Sequence, residues 1–191
     1  MQRFKGTKGM LILIILVCGI IGYYYYISNR EIKKPETEQS VEITAVQNVL
    51  LRNLERDYPP TPKEVVKYFA EITKCLYSET YTDEEFEQLA MKIQEIYDEE
   101  LVASKDQEAY LKDLKDDIAT FRADKYKITG YYTSSSVDVE EFKEDGYEWA
   151  RLYCTFYVSQ GKNRNPNSQE RILLRKDAEG HWKIYGWDLA E

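Results

Sequence analysis

No charged side chain occurs between Lys8 and Arg30, and this gap constrains the chain more than any other feature. The run Gly9 to Ile27 has 19 residues, which as a helix at ~1.5 Å per residue reaches ~28 Å, close to the ~30 Å hydrocarbon core of a bilayer. Its centre, Leu11 to Val17, is entirely Leu, Ile and Val, and Tyr23 to Tyr26 close it with rings suited to the membrane–water boundary. A buried helix of a soluble domain would also be apolar, but such a helix rarely follows so directly on a basic N-terminus. Residues 9–27 are therefore read as a membrane span behind a short basic tail, residues 1–8, with the lipid bilayer as its partner. A cleaved signal peptide needs small residues at −3 and −1, and with Gly22 at −1 the −3 position is Ile20. A lipoprotein anchor at Cys18 would follow Val17 instead of a small residue. An uncleaved signal anchor fits best. Arg3, Lys5 and Lys8 before the span balance Arg30, Lys33 and Lys34 after it, so charge counting alone gives a tie. A basic tail before an apolar run favours N-terminus in and C-terminal domain out, with a cytoplasmic domain as the alternative.

The rest of the chain is polar enough to bring the mean hydropathy to −0.60. Residues 28–43 carry Ser28, Asn29, Glu31, Lys33, Lys34, Pro35, Glu36 and Glu38 without apolar period, as a flexible linker does. From Thr44 to Glu191 there are 148 residues, enough for one soluble domain. Of the chain's 34 acids and 26 bases, all but three acids and six bases lie from residue 40 onward, so the domain is acidic on a slightly basic stem. The net charge of −8 argues against nucleic acid as a partner. With one His (His181) and three Cys (Cys18, Cys75, Cys154), metal sites built on several such ligands are not expected.

Helical spacing comes first. Val46, Val49, Leu50 and Leu54 recur on one face up to Tyr58-Pro59-Pro60. Thr61-Pro62-Lys63-Glu64 supplies an N-cap, a proline in the first turn and a capping-box Glu before a helix burying Val65, Phe69, Ile72 and Leu76. A second box, Thr82 to Glu85, precedes a helix with Phe86, Leu89, Ala90, Ile93, Ile96 and Tyr97 on one face. A third, Ser104 to Gln107, precedes one with Leu111, Leu114, Ile118 and Phe121. After Asp124 the composition turns to Tyr, Thr, Val and Ser, and strands are predicted near 126–138, 146–159, 169–177 and 181–188. Glu144-Asp145-Gly146, Asn163 to Asn167 and Asp177-Ala178-Glu179-Gly180 mark the connections. Short connections imply antiparallel neighbours, and helices followed by such a sheet define an α+β domain whose helices cover one face.

Alternation assigns that face. Ala150, Leu152, Cys154, Phe156 and Val158 point toward the helices, as do Ile172, Leu174, Trp182 and Ile184. Tyr147, Trp149, Arg151, Tyr153, Tyr157, Arg171, Arg175, Lys183, Tyr185 and Trp187 are predicted on the outer face, as one aromatic and basic patch. Tyr, Trp and Arg are the residues enriched at interface hot spots. The patch is the candidate interaction face, for self-association into a homo-oligomer or for docking an anionic or sugar-bearing cell-envelope component; a face that merely shields the strands is the plainer alternative.

The stretch Thr61-Pro62-Lys63-Glu64-Val65-Val66-Lys67-Tyr68-Phe69 is similar to the opening helix of the nuclear transport factor 2-like (cystatin-like) superfamily, and Gly180-His181-Trp182-Lys183-Ile184 to its closing strand. The resemblance covers about residues 60–188 and implies helices packed into the concave side of a curved antiparallel sheet of four or more strands. Enzymes of that superfamily use Asp, His or Tyr inside the cone. The chain departs from the usual helix–strand–helix start by opening with a run of helices. The whole chain, through Tyr58-Pro59-Pro60-Thr61-Pro62-Lys63-Glu64-Val65-Val66 and Gly146-Tyr147-Glu148-Trp149-Ala150-Arg151-Leu152-Tyr153-Cys154, also resembles an uncharacterised family of single-pass membrane-anchored proteins of Gram-positive bacteria. That resemblance implies no activity.

No catalytic, cofactor-binding or metal-binding residue is expected. His181 sits on an outward position after a turn, and no carboxylate is read on an apolar strand face, where burial would raise its pKa. Nucleotide, hydrolase and metalloprotease motifs are absent from the sequence, and Asp177 to Gly180 is too short for a calcium loop. A cavity between helices and sheet could still hold a small ligand. Cys75 and Cys154 both fall on inward faces, where they could form a disulfide outside the cell or remain two buried thiols. The expectation is a binding module rather than an enzyme; a small-molecule enzyme with its site inside the helix–sheet cone is the least favoured alternative, which a buried Asp or Glu lining a deep closed pocket would reopen.

Overall fold

A computed structural model describes residues 43–161, 163–164 and 167–190. The tail 1–8, the expected span 9–27 with its Cys18, and linker residues 28–42 lie outside the described residues. The chain divides into two units between Glu42 and Ile43, and the second is described by itself. Among the described residues no helix is long and apolar enough to cross a membrane.

Helix starts follow local cap chemistry. Thr44 opens α1 (Ala45–Leu50) through a reciprocal pair, its Oγ1 accepting from the Gln47 amide at 3.1 Å while its own amide donates to Gln47 Oε1 at 3.2 Å. Thr61 caps α2 (Pro62–Ser78), and Thr82 caps α3 (Asp83–Gln94) with Glu85 reaching back as the spacing predicts. The third expected box is different. Asp98 opens a short helix, α4 (Glu99–Ala103), and Ser104 ends it, its hydroxyl donating to the Leu101 carbonyl at 2.6 Å. Asp106, two residues on, then caps α5 (Gln107–Ala123) by accepting from the Ala109 amide at 2.9 Å.

The helices are followed by an antiparallel sheet, giving the expected α+β arrangement. Its strands are β1 (Tyr126–Thr133), β2 (Glu140–Glu144), β3 (Tyr147–Gln160), β4 (Asn163–Arg164), β5 (Ser168–Lys176) and β6 (Trp182–Leu189), in the order β1-β3-β5-β6. Where one strand over 126–138 is predicted, the chain forms β1, a 3-10 turn at Ser136–Asp138 and then β2. Both strands pair with the same edge of β3. Ser134 holds the break, its amide donating to the Tyr153 carbonyl at 2.9 Å and its Oγ accepting from the Tyr153 amide at 3.0 Å. The β2–β3 hairpin turns through Asp145 at φ 51° and Gly146 at φ 83°, the positive-φ pair that tight hairpins need. At the opposite edge the Asp98 amide donates to Ile184 O, and the Ile184 amide to Ile96 O, both at 2.8 Å. The segment entering α4 thus extends the sheet beyond β6 by a parallel bridge.

The predicted inner faces of β3 and β5 pack on the helices. Ala150, Leu152, Cys154, Phe156, Ile172 and Leu174 are buried against Val65, Ile72, Leu76 and Leu89. In β6 the alternation fails halfway. Leu174 pairs with Ile184 but Leu173 with Gly186, so Tyr185 is an extra residue. One extra residue reverses the phase of everything after it. Trp187, predicted on the outer face, consequently lies opposite the inward Ile172, with its ring 5.5 Å from Phe69 and 5.7 Å from Tyr97.

Candidate functional site

The outer face keeps most of its expected members but little free charge. Tyr147, Tyr153 and Tyr157 are exposed, joined by Tyr132 of β1. Arg151 donates from Nε to Glu140 Oε2 at 2.9 Å, and Arg171 forks onto Asp188 across the strand pair. Lys183 donates to the Glu95 carbonyl at 2.8 Å and lies over the Tyr58 ring. Arg175, predicted as a surface cation, is only 8% exposed. Its guanidinium bonds both Asp98 oxygens at 2.7 and 2.9 Å and Glu100 at 2.7 Å. The rings of Tyr147, Trp149 and Tyr185 stand 4.8, 5.8 and 5.0 Å from its central carbon. Burial works against this charge, yet the hydrogen bonds to Asp98 and Glu100 outweigh it and raise the Arg175 pKa above its ordinary value. The space between the Tyr147, Trp149 and Tyr185 rings is thus filled by the protein's own cation, and its partner Asp98 arrives from 77 positions away.

The inner face carries a second candidate. Between the helices and the sheet lies a cavity of about 500 Å³, within the size range of small-molecule sites. Its wall is mostly apolar and aromatic, with Phe69 and Tyr77 from α2, Phe121 from α5, Phe156 from β3, and Tyr97 and Trp187. The stripe on α5 explains the space. Ile118 is its one buried residue, while Leu114 and Phe121 remain part-buried and border the cavity.

One carboxylate enters this wall. Glu170 precedes Ile172 and Leu174 by the strand period and pairs in register with the buried Cys154. Among the described residues its side chain has no hydrogen-bond or ion-pair partner, and burial raises its pKa from 4.5 to about 7. Glu170 thus stands on an apolar strand face, where the sequence predicts no carboxylate. The signal was present, since stepping back two residues from Ile172 reaches Glu170. Tyr77 donates its hydroxyl to Asp117, and burial followed by that bond raises its pKa. Tyr97 is raised too, chiefly by burial. Among the described residues the cavity therefore presents a ring of neutral aromatic groups and a single acid whose pKa burial raises to about 7.

Cys75 and Cys154 are both free and buried, and burial pushes their pKa values up to about 11 and about 12. His181 lies against the Tyr58 ring with centroids 4.3 Å apart, and its Nδ1 is 3.6 Å from Asp177. It lies outside the cavity wall. Among the described residues no group of three or more His, Cys, Asp or Glu could hold a metal ion.

Among solved structures, the chain is similar to a protein from Catenulispora acidiphila at 14% identity and a TM-score of 0.38, over 65% of this chain and 87% of that one. It is also similar to TraH, described as a transfer protein of the Gram-positive conjugative plasmid pIP501, at 12% identity and a TM-score of 0.36, over 69% of this chain and 94% of that one. No curated protein matches it. The match that spans nearly everything described above, residues 1–187, is to the domain of unknown function DUF6715, and the chain belongs to that family.

Proposed function

We propose that this protein is a membrane-held binding module that takes a small ligand into the cavity between its helices and its sheet. In this reading residues 9–27 anchor the chain in a single pass, the N-terminus is cytoplasmic, and a nuclear transport factor 2-like domain lies on the extracytoplasmic side. The observation that carries the proposal is the cavity of about 500 Å³, walled by aromatic and aliphatic side chains and holding one carboxyl without a partner among the described residues. The apolar wall favours binding of an apolar body, and a single polar group fixes its orientation, the division of labour usual in small-molecule sites. A binding role needs only one polar anchor, and among the described residues no side chain hydrogen-bonds to Glu170.

The test titrates the full-length chain in phosphatidylcholine nanodiscs with neopentylbenzene, following the Trp187 indole resonance. Saturable binding that disappears in a folded Leu114→Trp variant, which fills the cavity, is expected. Partitioning that is equal in both proteins overturns the proposal. For the topology, protease added to intact cells is expected to remove the domain, and full protection overturns the orientation.

A second reading, self-association through the outer face, is favoured by the exposure of Tyr132 (57%), Tyr147 (48%), Tyr153 (39%) and Tyr157 (41%) on one side of the sheet. Docking of an anionic wall component is less well supported, because Arg151, Arg171 and Arg175 already hold carboxylates.

A further inference from the structure

The cavity reading proposed above leaves the chemistry of the ligand open, and the charge inventory of its wall narrows it. Glu170 is the one carboxylate among the described residues of that wall. Lys105 at the rim is its one base, exposed and already donating to Asp113 at 2.7 Å. The neighbouring Arg171 lies on the other side of the sheet with Asp188. Among the described residues no side chain donates to Glu170, and the nearby Tyr77 hydroxyl is committed to Asp117. An ionised carboxylate in such a wall is left to water or to a donor that a ligand brings. The rings of Phe69, Tyr77, Tyr97, Phe121 and Trp187 surround the same space. Their negative faces attract a cation and repel an anion.

We propose, building on the cavity reading, that the ligand is an organic monocation with an apolar body, such as an amine or quaternary ammonium compound, whose charge sits against the Glu170 carboxylate inside the aromatic wall. The cavity of about 500 Å³ admits a body of drug-like size around that charge. Glu170 must be ionised for this contact, and its pKa of about 7 makes binding strengthen with rising pH. The titratable groups facing it do not interfere. Tyr77, Tyr97 and Tyr110 stay neutral well above pH 7, as does Cys154 opposite. Asp117 is tied to the Tyr77 hydroxyl, and Lys105 to Asp113.

The experiment compares two probes of one shape, benzyltrimethylammonium and the neutral neopentylbenzene, on the full-length chain in phosphatidylcholine nanodiscs. At pH 8.5 the cation is expected to bind at least tenfold more tightly than the hydrocarbon. Its affinity is expected to fall at least tenfold by pH 5.5, where the hydrocarbon's does not. Glu170→Gln should remove the cation's advantage while leaving hydrocarbon binding intact, which also shows that the variant is folded. Binding of the hydrocarbon as tightly as the cation overturns this inference and leaves the cavity reading standing. Binding of the cation that Glu170→Gln leaves unchanged places the charge elsewhere and overturns the inference too. Saturable binding of neither probe overturns both.

Discussion

Replacing Glu170 by Gln should stabilise the protein at alkaline pH and leave it nearly unchanged at acid pH. A carboxyl whose pKa rises from 4.5 to about 7 on folding binds its proton more tightly in the folded state. Below pH 4.5 both states are protonated and the group contributes little. As pH rises from 4.5 to about 7, the unfolded state ionises freely while the folded state resists, so stability is lost through that window. Full loss corresponds to about 3 kcal/mol, and water reaching the cavity reduces this to about 2 kcal/mol. Gln has the same shape and no titration, so Glu170→Gln should unfold at a higher urea midpoint than the parent by about 2 kcal/mol at pH 8.5, with an unchanged m value. At pH 4.5 the two should agree within about 0.5 kcal/mol. Urea unfolding of the full chain in detergent, followed by near-ultraviolet circular dichroism at several pH values, reads this directly. A difference that stays constant across pH 4.5–8.5, or a Gln variant less stable at pH 8.5, would refute the argument that burial of this carboxyl is uncompensated.

Two further outcomes follow from the packing. Arg175→Met leaves Asp98 buried without its partner and should cost about 3–5 kcal/mol, whereas adding Asp98→Asn should recover a large part of it; equal loss in the double variant would show that the pair is not the unit of stability. In a Cys18→Ser background, Cys75 and Cys154 should resist a thiol reagent at pH 7.5 in the folded protein and both react on unfolding without reductant, because burial keeps them as thiols; a need for prior reduction would show a bridge.

Some of the candidate site was legible before the fold was known. Glu170 follows from strand period alone, once the inward series through Ile172 and Leu174 is carried two residues back. Its lack of a partner was not legible, because that depends on α5 leaving space beside the sheet instead of sealing it. The outer face shows the same division. Tyr147, Tyr153 and Tyr157 occupy the expected side, but Arg175 lost its surface role to carboxylates far off in the chain.

What the chain's order of residues determined by itself is whatever acts over a few positions. Thr61 and Thr82 cap their helices because the donors they satisfy lie three residues on, and β3 sorts its faces because successive side chains must point apart. The choice between Ser104 and Asp106 already exceeded that range, since both are competent caps and the docking of Asp98 on β6 produced a short helix that used the first. Tertiary structure alone decided that Trp187 lines the cavity, because the extra residue at Tyr185 is accommodated by the register of β5 on its neighbour and not by anything local to β6. It also decided that Arg175 is buried, since its charge is tolerable there only after Asp98 and Glu100 have been brought across the sheet edge.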